Sequence, residues 1–392
     1  MNYILFDGST RKQLLPFTFT RPVADLRIGI LTIREKWEKN LNAATSTRTE
    51  AYLSQKFPLK KSDDNLLINA SYLPTVGLVA LLKTLQTGEA IYDEDEIIAY
   101  RSEKTEILSN FDGFKAKNCP KESIFKIAHT WDLFIENGRA IAEDFKLLTH
   151  GRTSQPIPDS VHCIDKDRIF LEEGAVIETG VLNASNGPIY LAKDSEVMEG
   201  CLIRGPFALG EQAVVKMGAK IYGPTTVGPY CKLGGEVNNS ILMGYSNKGH
   251  DGFLGNSVVG EWCNIGADTN TSNLKNNYAE VRLWDYSTEA FTGTGLQFCG
   301  LMMGDHSKCG INTMFNTGTV VGVACNIYGG DFPRNFIPSY SWGGSAGITT
   351  YRIDKAFETI KVVMQRRNID FDEQEQRLLT HVFEQTAPFR GK

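Results

Sequence analysis

Histidine is scarce in this chain, with six in 392 residues, so chemistry that needs an imidazole has few candidates. The eight cysteines never fall in CxxC spacing. That excludes the common zinc motifs and leaves no sign of a disulfide framework. Their expected place is inside the core, as small apolar residues in a reducing compartment. A basic excess is also missing: 41 Lys and Arg stand against 46 Asp and Glu, a net charge of −5. A nucleic-acid binder should carry a basic face, so no nucleic-acid partner is expected. No apolar run is long enough to span a bilayer, and "MNYILFDGST" lacks the basic start and apolar core of a signal peptide. The expectation is a cytoplasmic protein with no membrane partner. Small or phosphorylated ligands remain open, because local basic pockets can sit on an acidic protein.

What is present divides into two textures, in a length sufficient for two domains. Over the first 150 residues, strand-like and helix-like stretches alternate. "NYILF" and "NLLINA" read as buried strands. "LRIGILTIREKWEKN" and "TVGLVALLKTLQTG" carry apolar residues at helical spacing, the second closed by a glycine of C-cap type. "TWDLFIENGRAIAEDFKLL" reads as a helix interrupted at Gly138. This alternation predicts an α/β domain with a mostly parallel sheet over 1–155. "THGRTSQPIPDSV" is polar, carries two prolines and reads as a linker.

From about residue 165 glycines multiply and a period of six appears. Leu191, Val197, Ile203, Leu209, Val215, Ile221, Val227 and Leu233 follow one another at that spacing. Met303, Cys309, Phe315, Val321 and Ile327 repeat it, as do Phe253, Val259 and Ile265. Neither a helix, near 3.6, nor a half-buried strand, at two, has that period. A solenoid does: each short strand sends one aliphatic side chain inward and then turns, so stacked coils build one core. The expected span is 160–345. Between about 266 and 300 the register breaks, which predicts an inserted loop leaving one face. Two apolar helical faces at 350–388 (Ile353, Phe357, Ile360, Met364; then Leu378, Leu379, Val382, Phe383) predict a cap over the open solenoid end.

The hexad pattern, with a histidine among glycines in "KGHDGFLGNSVVGEWCNIGADTNTSNLKNNY", resembles the hexapeptide-repeat acyltransferase superfamily. Within it the chain resembles the GlmU-related family, bifunctional enzymes that acetylate glucosamine 1-phosphate and couple the product to UTP. "FNTGTVVGVACNIYGGDFPRNFIPSYSWGG" resembles the tail of relatives that join a shortened nucleotidyltransferase-like domain to a β-helix. The resemblance implies a left-handed parallel β-helix, a homotrimer, acetyl-CoA as acyl donor and an amino-sugar 1-phosphate as acceptor. His250 then falls on the catalytic base. The chemistry requires one, because a protonated sugar amine cannot attack a thioester, and imidazole titrates in the useful range. Asn264 and Asn273 fall on asparagines that contact sugar or acetyl group. Phe253 stands where tyrosine is usual, and Lys275 in the same loop reads as a candidate phosphate contact. Lys216 and Lys232 lie upstream, near the sugar-phosphate or uridyl region. His306 invites a metal reading, but a catalytic zinc site needs three protein ligands. No metal site is expected there, and His306 reads as a turn histidine.

"FDGSTRKQLLPFTFTRPVADL" resembles the nucleotidyltransferase signature, a loop that wraps backbone N–H groups around triphosphate. Gly8, Thr10 and Arg11 remain, Arg21 replaces a charge, and the signature lysine is Val23. At the place of the family's Mg²⁺-binding aspartate the chain has Asn69 and Ser71. Magnesium therefore enters only if this domain is active. Three functions follow: acetyl transfer through His250; sugar-1-phosphate uridylyl or thymidylyl transfer through the first domain; or sugar-nucleotide binding without catalysis.

Overall fold

A computed structural model describes residues 1–108 and 111–390. The chain forms two compact units, one of 1–14, 18–26 and 31–129, the other of 15–17, 27–30 and everything from 130 onward.

The first unit is built on a six-stranded sheet. Its strands are β1 (Asn2–Phe6), β2 (Thr45–Arg48), β3 (Asn65–Asn69), β4 (Glu89–Asp93), β5 (Glu96–Ser102) and β6 (Lys115–Asn118). Their order is β2-β1-β3-β5-β4-β6. β3 sits centrally with all five residues buried, as its unbroken apolar run requires. The sheet is mostly parallel, as expected: β1, β2, β3, β4 and β6 share one direction, and β5 alone is reversed, antiparallel to both β3 and β4. The cause is the two-residue turn joining β4 to β5, where Glu94 takes φ 52°. The helix expected from Leu26 begins only at Ile33, where Thr32 and Glu35 form a capping box. The indole of Trp37 on that helix donates to the Tyr72 carbonyl at 3.0 Å, fixing helix to sheet.

The second unit is a parallel β-solenoid whose coils contribute to sheets of six, nine and ten strands. Ile203 lies opposite Ile221, Leu209 opposite Val227, and Val215 opposite Leu233, each pair one eighteen-residue coil apart. Three hexads therefore make one turn with three faces. The predicted column from Leu191 to Leu233 is buried throughout, and burying each aliphatic side chain stabilises by about 1.5–3 kcal/mol. The third predicted run needs one correction. Leu254, not Phe253, enters the core; Phe253 faces outward, half-buried. Coils between Val227 and Val259 are shortened, so that Leu242 sits opposite Val227 after fifteen residues and Val259 opposite Leu242 after seventeen. The inward register then runs Leu242, residue 248, Leu254.

The insertion is ordered: Arg282–Asp285 and Ala290–Gly293 pair as an antiparallel hairpin, with Trp284 stacked on Phe336 at 4.2 Å between ring centroids. The helix Asn137–Thr149 belongs to the solenoid unit, where Asn137 accepts from the Gly29 amide and from Thr226. Compact packing thus divides at His129, before the polar linker.

The two C-terminal helices, Ile353–Gln365 and Glu373–Gln385, do more than close the end. Tyr340 donates to the Leu379 carbonyl at 2.9 Å, and Arg367 reaches the Tyr230 carbonyl at 3.0 Å. Between those contacts lie several coils, so the helices run along the solenoid's side. They cover a corner where Tyr230, Tyr245, Trp262 and His306 all have left-handed backbone. Their rings stack in sequence, and stacking offsets the backbone cost at each step. All eight cysteines are free, seven buried and Cys163 half-buried. No described helix is long and apolar enough to cross a membrane.

Candidate active site

His250 occupies a corner between the strand Asn247–Lys248 on one sheet and Phe253–Gly255 on another. Its side chain is exposed. Stacked coils hold the turn on both sides. A β-carbon at Gly235 would stand 2.9 Å from the His250 carbonyl, and the Asp268 amide donates to the Asp251 carbonyl at 3.1 Å. Gly252 takes φ 109°, and a β-carbon there would lie 2.2 Å from the Thr269 carbonyl. Gly252→Ala is therefore expected to destabilise by about 2–3 kcal/mol, from left-handed backbone plus a clash with backbone. A wild-type denaturation midpoint for that variant would contradict the crowding.

Under the turn lies Lys248. It is 1% exposed and sits opposite Leu233, inside the aliphatic column. Its ammonium donates to the carbonyls of Gly234 (3.2 Å), His250 (2.5 Å) and Asp251 (3.1 Å). Burial pushes the pKa down to about 8, against the opposing pull of Asp251 and Asp268. Three donors meet three carbonyls, which fixes the backbone carrying His250. Lys248 escaped the sequence reading, yet the spacing Leu242, Lys248, Leu254 marks it as an inward hexad position.

Beside the corner, Phe253 and Asn273 converge over Gly255: the ring and the amide each come within 2.6 Å of where a β-carbon would stand. The Asn273 amide donates to Asn256 at 2.8 Å, and the Phe253 amide donates to Asn270 at 2.8 Å. Asn264 belongs to another face. It lies in register with Asn247 and lines a cavity with Lys232. Lys275 turns back into the insertion, donating to the Glu280 carbonyl at 2.7 Å. His306 is buried at the stacked corner, 4.0 Å from Glu375.

In the first unit, Gly8 follows β1. A β-carbon there would collide with the Asn69 amide at 2.6 Å, so only glycine lets loop and strand end meet. Thr10, Arg11 and Arg21 are buried. Arg11 is 3.2 Å from Asp7 and donates to the Thr18 carbonyl and the Tyr52 hydroxyl, so it organises the loop from within. Burial raises the Asp7 pKa, while Thr49 and Arg11 oppose the shift. The cations lining the cavity of about 350 Å³ at this loop are Arg11, Lys12 and Arg48. Lys12 and Arg48 went unremarked in the sequence. Nor is the strand end free of carboxylates: Glu96 crosses from β5 to within 3.3 Å of Asn69 and 3.4 Å of Ser9.

A magnesium ion does not fit these residues. Glu96 is paired with Lys126 and accepts from Tyr72, and Tyr72 also donates to Asp93 at 3.0 Å. A hard dication would have to displace an ammonium and two hydrogen bonds.

Residues 3–153 match the family model described as sugar nucleotidyl transferase, a transferase family; the match spans less than half of the chain. Among solved structures the chain is similar to the polySia specific acetyltransferase NeuO, at 16% identity over 54% of this chain and 99% of that one, with a TM-score of 0.26. It is also similar to Arabidopsis UDP-N-acetylglucosamine acyltransferase, at 15% over 56% and 80%, TM-score 0.24. The corresponding Campylobacter jejuni enzyme aligns at 17% over 58% and 83%, TM-score 0.19. No curated protein matches.

Proposed function

We propose that the solenoid unit transfers an acetyl group from acetyl-CoA to the amine of an amino-sugar 1-phosphate, with His250 as general base. The observation that carries this reading is an exposed imidazole on a corner pinned from below by a buried lysine. In the reaction the imidazole takes a proton from the sugar ammonium, and the freed amine attacks the thioester carbonyl carbon. As the tetrahedral intermediate collapses, its nitrogen releases a second proton to solvent, the carbon–sulfur bond breaks and the imidazolium returns its proton to the departing thiolate, leaving a neutral amide. Asn273 and Phe253, converging beside the corner, form the wall against which the sugar rests. The active assembly is a homotrimer, in keeping with the resemblance to hexapeptide-repeat enzymes. The test is a screen of amino-sugar phosphates with acetyl-CoA, following free thiol. Release of thiol with one acceptor and not with its N-acetylated form supports the reading; silence across all of them sinks it.

A second reading, favoured by the family match over 3–153, gives the first unit a nucleoside triphosphate to hold at the Gly8 loop. Lys12 and Arg48 would balance the phosphate charge. The double variant Lys12→Ala/Arg48→Ala is expected to weaken UTP or dTTP binding at least about tenfold. Titration calorimetry decides this, and equal affinity in the variant removes the loop from consideration.

A further inference from the structure

The cavity of the solenoid unit that Asn264 lines has a volume of about 410 Å³. Lys232 and Lys308 enter it from two coils of one sheet, and Arg366 and Arg367 from the end of the helix Ile353–Gln365. No carboxylate lines it, and none of the four cations forms an ion pair among the described residues. Lys308 donates only to the His306 carbonyl, and Arg367 to the Tyr230 carbonyl. Four positive charges converging without a counter-charge repel one another, and an anion relieves that repulsion. Burial holds the Lys308 pKa below its usual value, a shift that a bound anion would reverse. The favourable interaction of arginine with a helix C-terminus accounts for Arg366 and Arg367, but not for the two lysines facing them.

Two further features narrow the ligand. Asn247, at the cavity wall, has a buried side-chain oxygen without a hydrogen-bond donor. Tyr245 and Trp262, stacked on each other, form an aromatic border. We propose that this cavity binds a ligand carrying at least two phosphate charges together with a hydroxyl or amide donor, clamped between the solenoid face and the C-terminal helix. The helical segment is then a ligand-binding element as well as a cover. Coenzyme A and a nucleoside-diphosphate sugar share this chemistry.

Calorimetric titration of the full-length protein with CoA, UDP-N-acetylglucosamine and inorganic pyrophosphate tests the proposal. At least one should bind, with affinity falling as salt is raised. The double variant Arg366→Gln/Arg367→Gln should weaken that binding at least about tenfold. Because Arg367 also bonds the Tyr230 carbonyl, Lys232→Gln serves as a second variant; its ammonium makes no bond among the described residues, and the same loss of affinity is expected. Tighter binding of CoA than of UDP-N-acetylglucosamine assigns the site to the acyl donor, and the reverse to a sugar nucleotide. Binding of none of the three, or unchanged affinity in both variants, overturns the proposal. Unchanged affinity in both variants leaves acetyl transfer through His250 untouched, and thiol release in the acceptor screen tests that reaction independently of this cavity, so the two failures are distinguishable.

Discussion

His250→Ala is expected to lower kcat for acetyl transfer by about 10² to 10⁴-fold, the usual contribution of a positioned acid–base group. The side chain is exposed, so its loss should change stability by no more than about 0.5 kcal/mol. Substrate binding should survive, because the wall formed by Phe253 and Asn273 remains. Wild-type turnover in this variant removes His250 from the role of general base. A loss of turnover accompanied by unfolding is not anticipated, and circular dichroism with a denaturant titration separates the two.

Lys248→Met is expected to act on the same step from beneath. Methionine fills the aliphatic column but leaves the carbonyls of Gly234, His250 and Asp251 without their donor. A turn that drifts by about 1 Å costs on the order of 100-fold in rate, so kcat should fall by about tenfold to 100-fold with KM nearly unchanged. The lysine also has a signature that a filler residue lacks. Its pKa is about 8 in the fold, against about 10.4 in an unfolded chain. Below pH 8 both states carry the proton, and the folded state bears the full cost of a buried charge. Between pH 8 and 10.5 the unfolded chain binds more protons than the native one, so stability rises with pH. Relative to Lys248→Met, the wild type should therefore gain about 3 kcal/mol across that interval. Groups common to both proteins cancel in the comparison. Parallel stability curves would refute the depressed pKa, and wild-type kcat in the variant would deny Lys248 its positioning role.

Much of the second unit was legible because a solenoid repeats one local rule. A side chain that must point inward at each turn leaves an aliphatic residue every six positions, and that periodicity survives in one dimension. The corner at His250 was legible for a related reason: its glycines record where neighbouring backbones press together. In the first unit β1 and β3 were legible as continuous apolar runs. The antiparallel turn between β4 and β5 was not, since a two-residue polar turn reads like any other break.

The sequence by itself determined the change of texture, the hexad core, the break at the insertion and the candidacy of His250. Each depends on residues near one another in the chain, or on strict repetition. Tertiary structure alone decided which groups face each other. It put Asn264 on a face apart from Phe253 and Asn273, turned Arg11 inward to Asp7, and brought Glu96 across the sheet to the Gly8 loop. It also carried Arg366 and Arg367 back along the solenoid to Lys232 and Lys308. Charges far apart in the chain meet only when coils and helices pack. A shortened coil moved the inward register onto Lys248, and that shift made an ordinary surface-type residue the support beneath the proposed base.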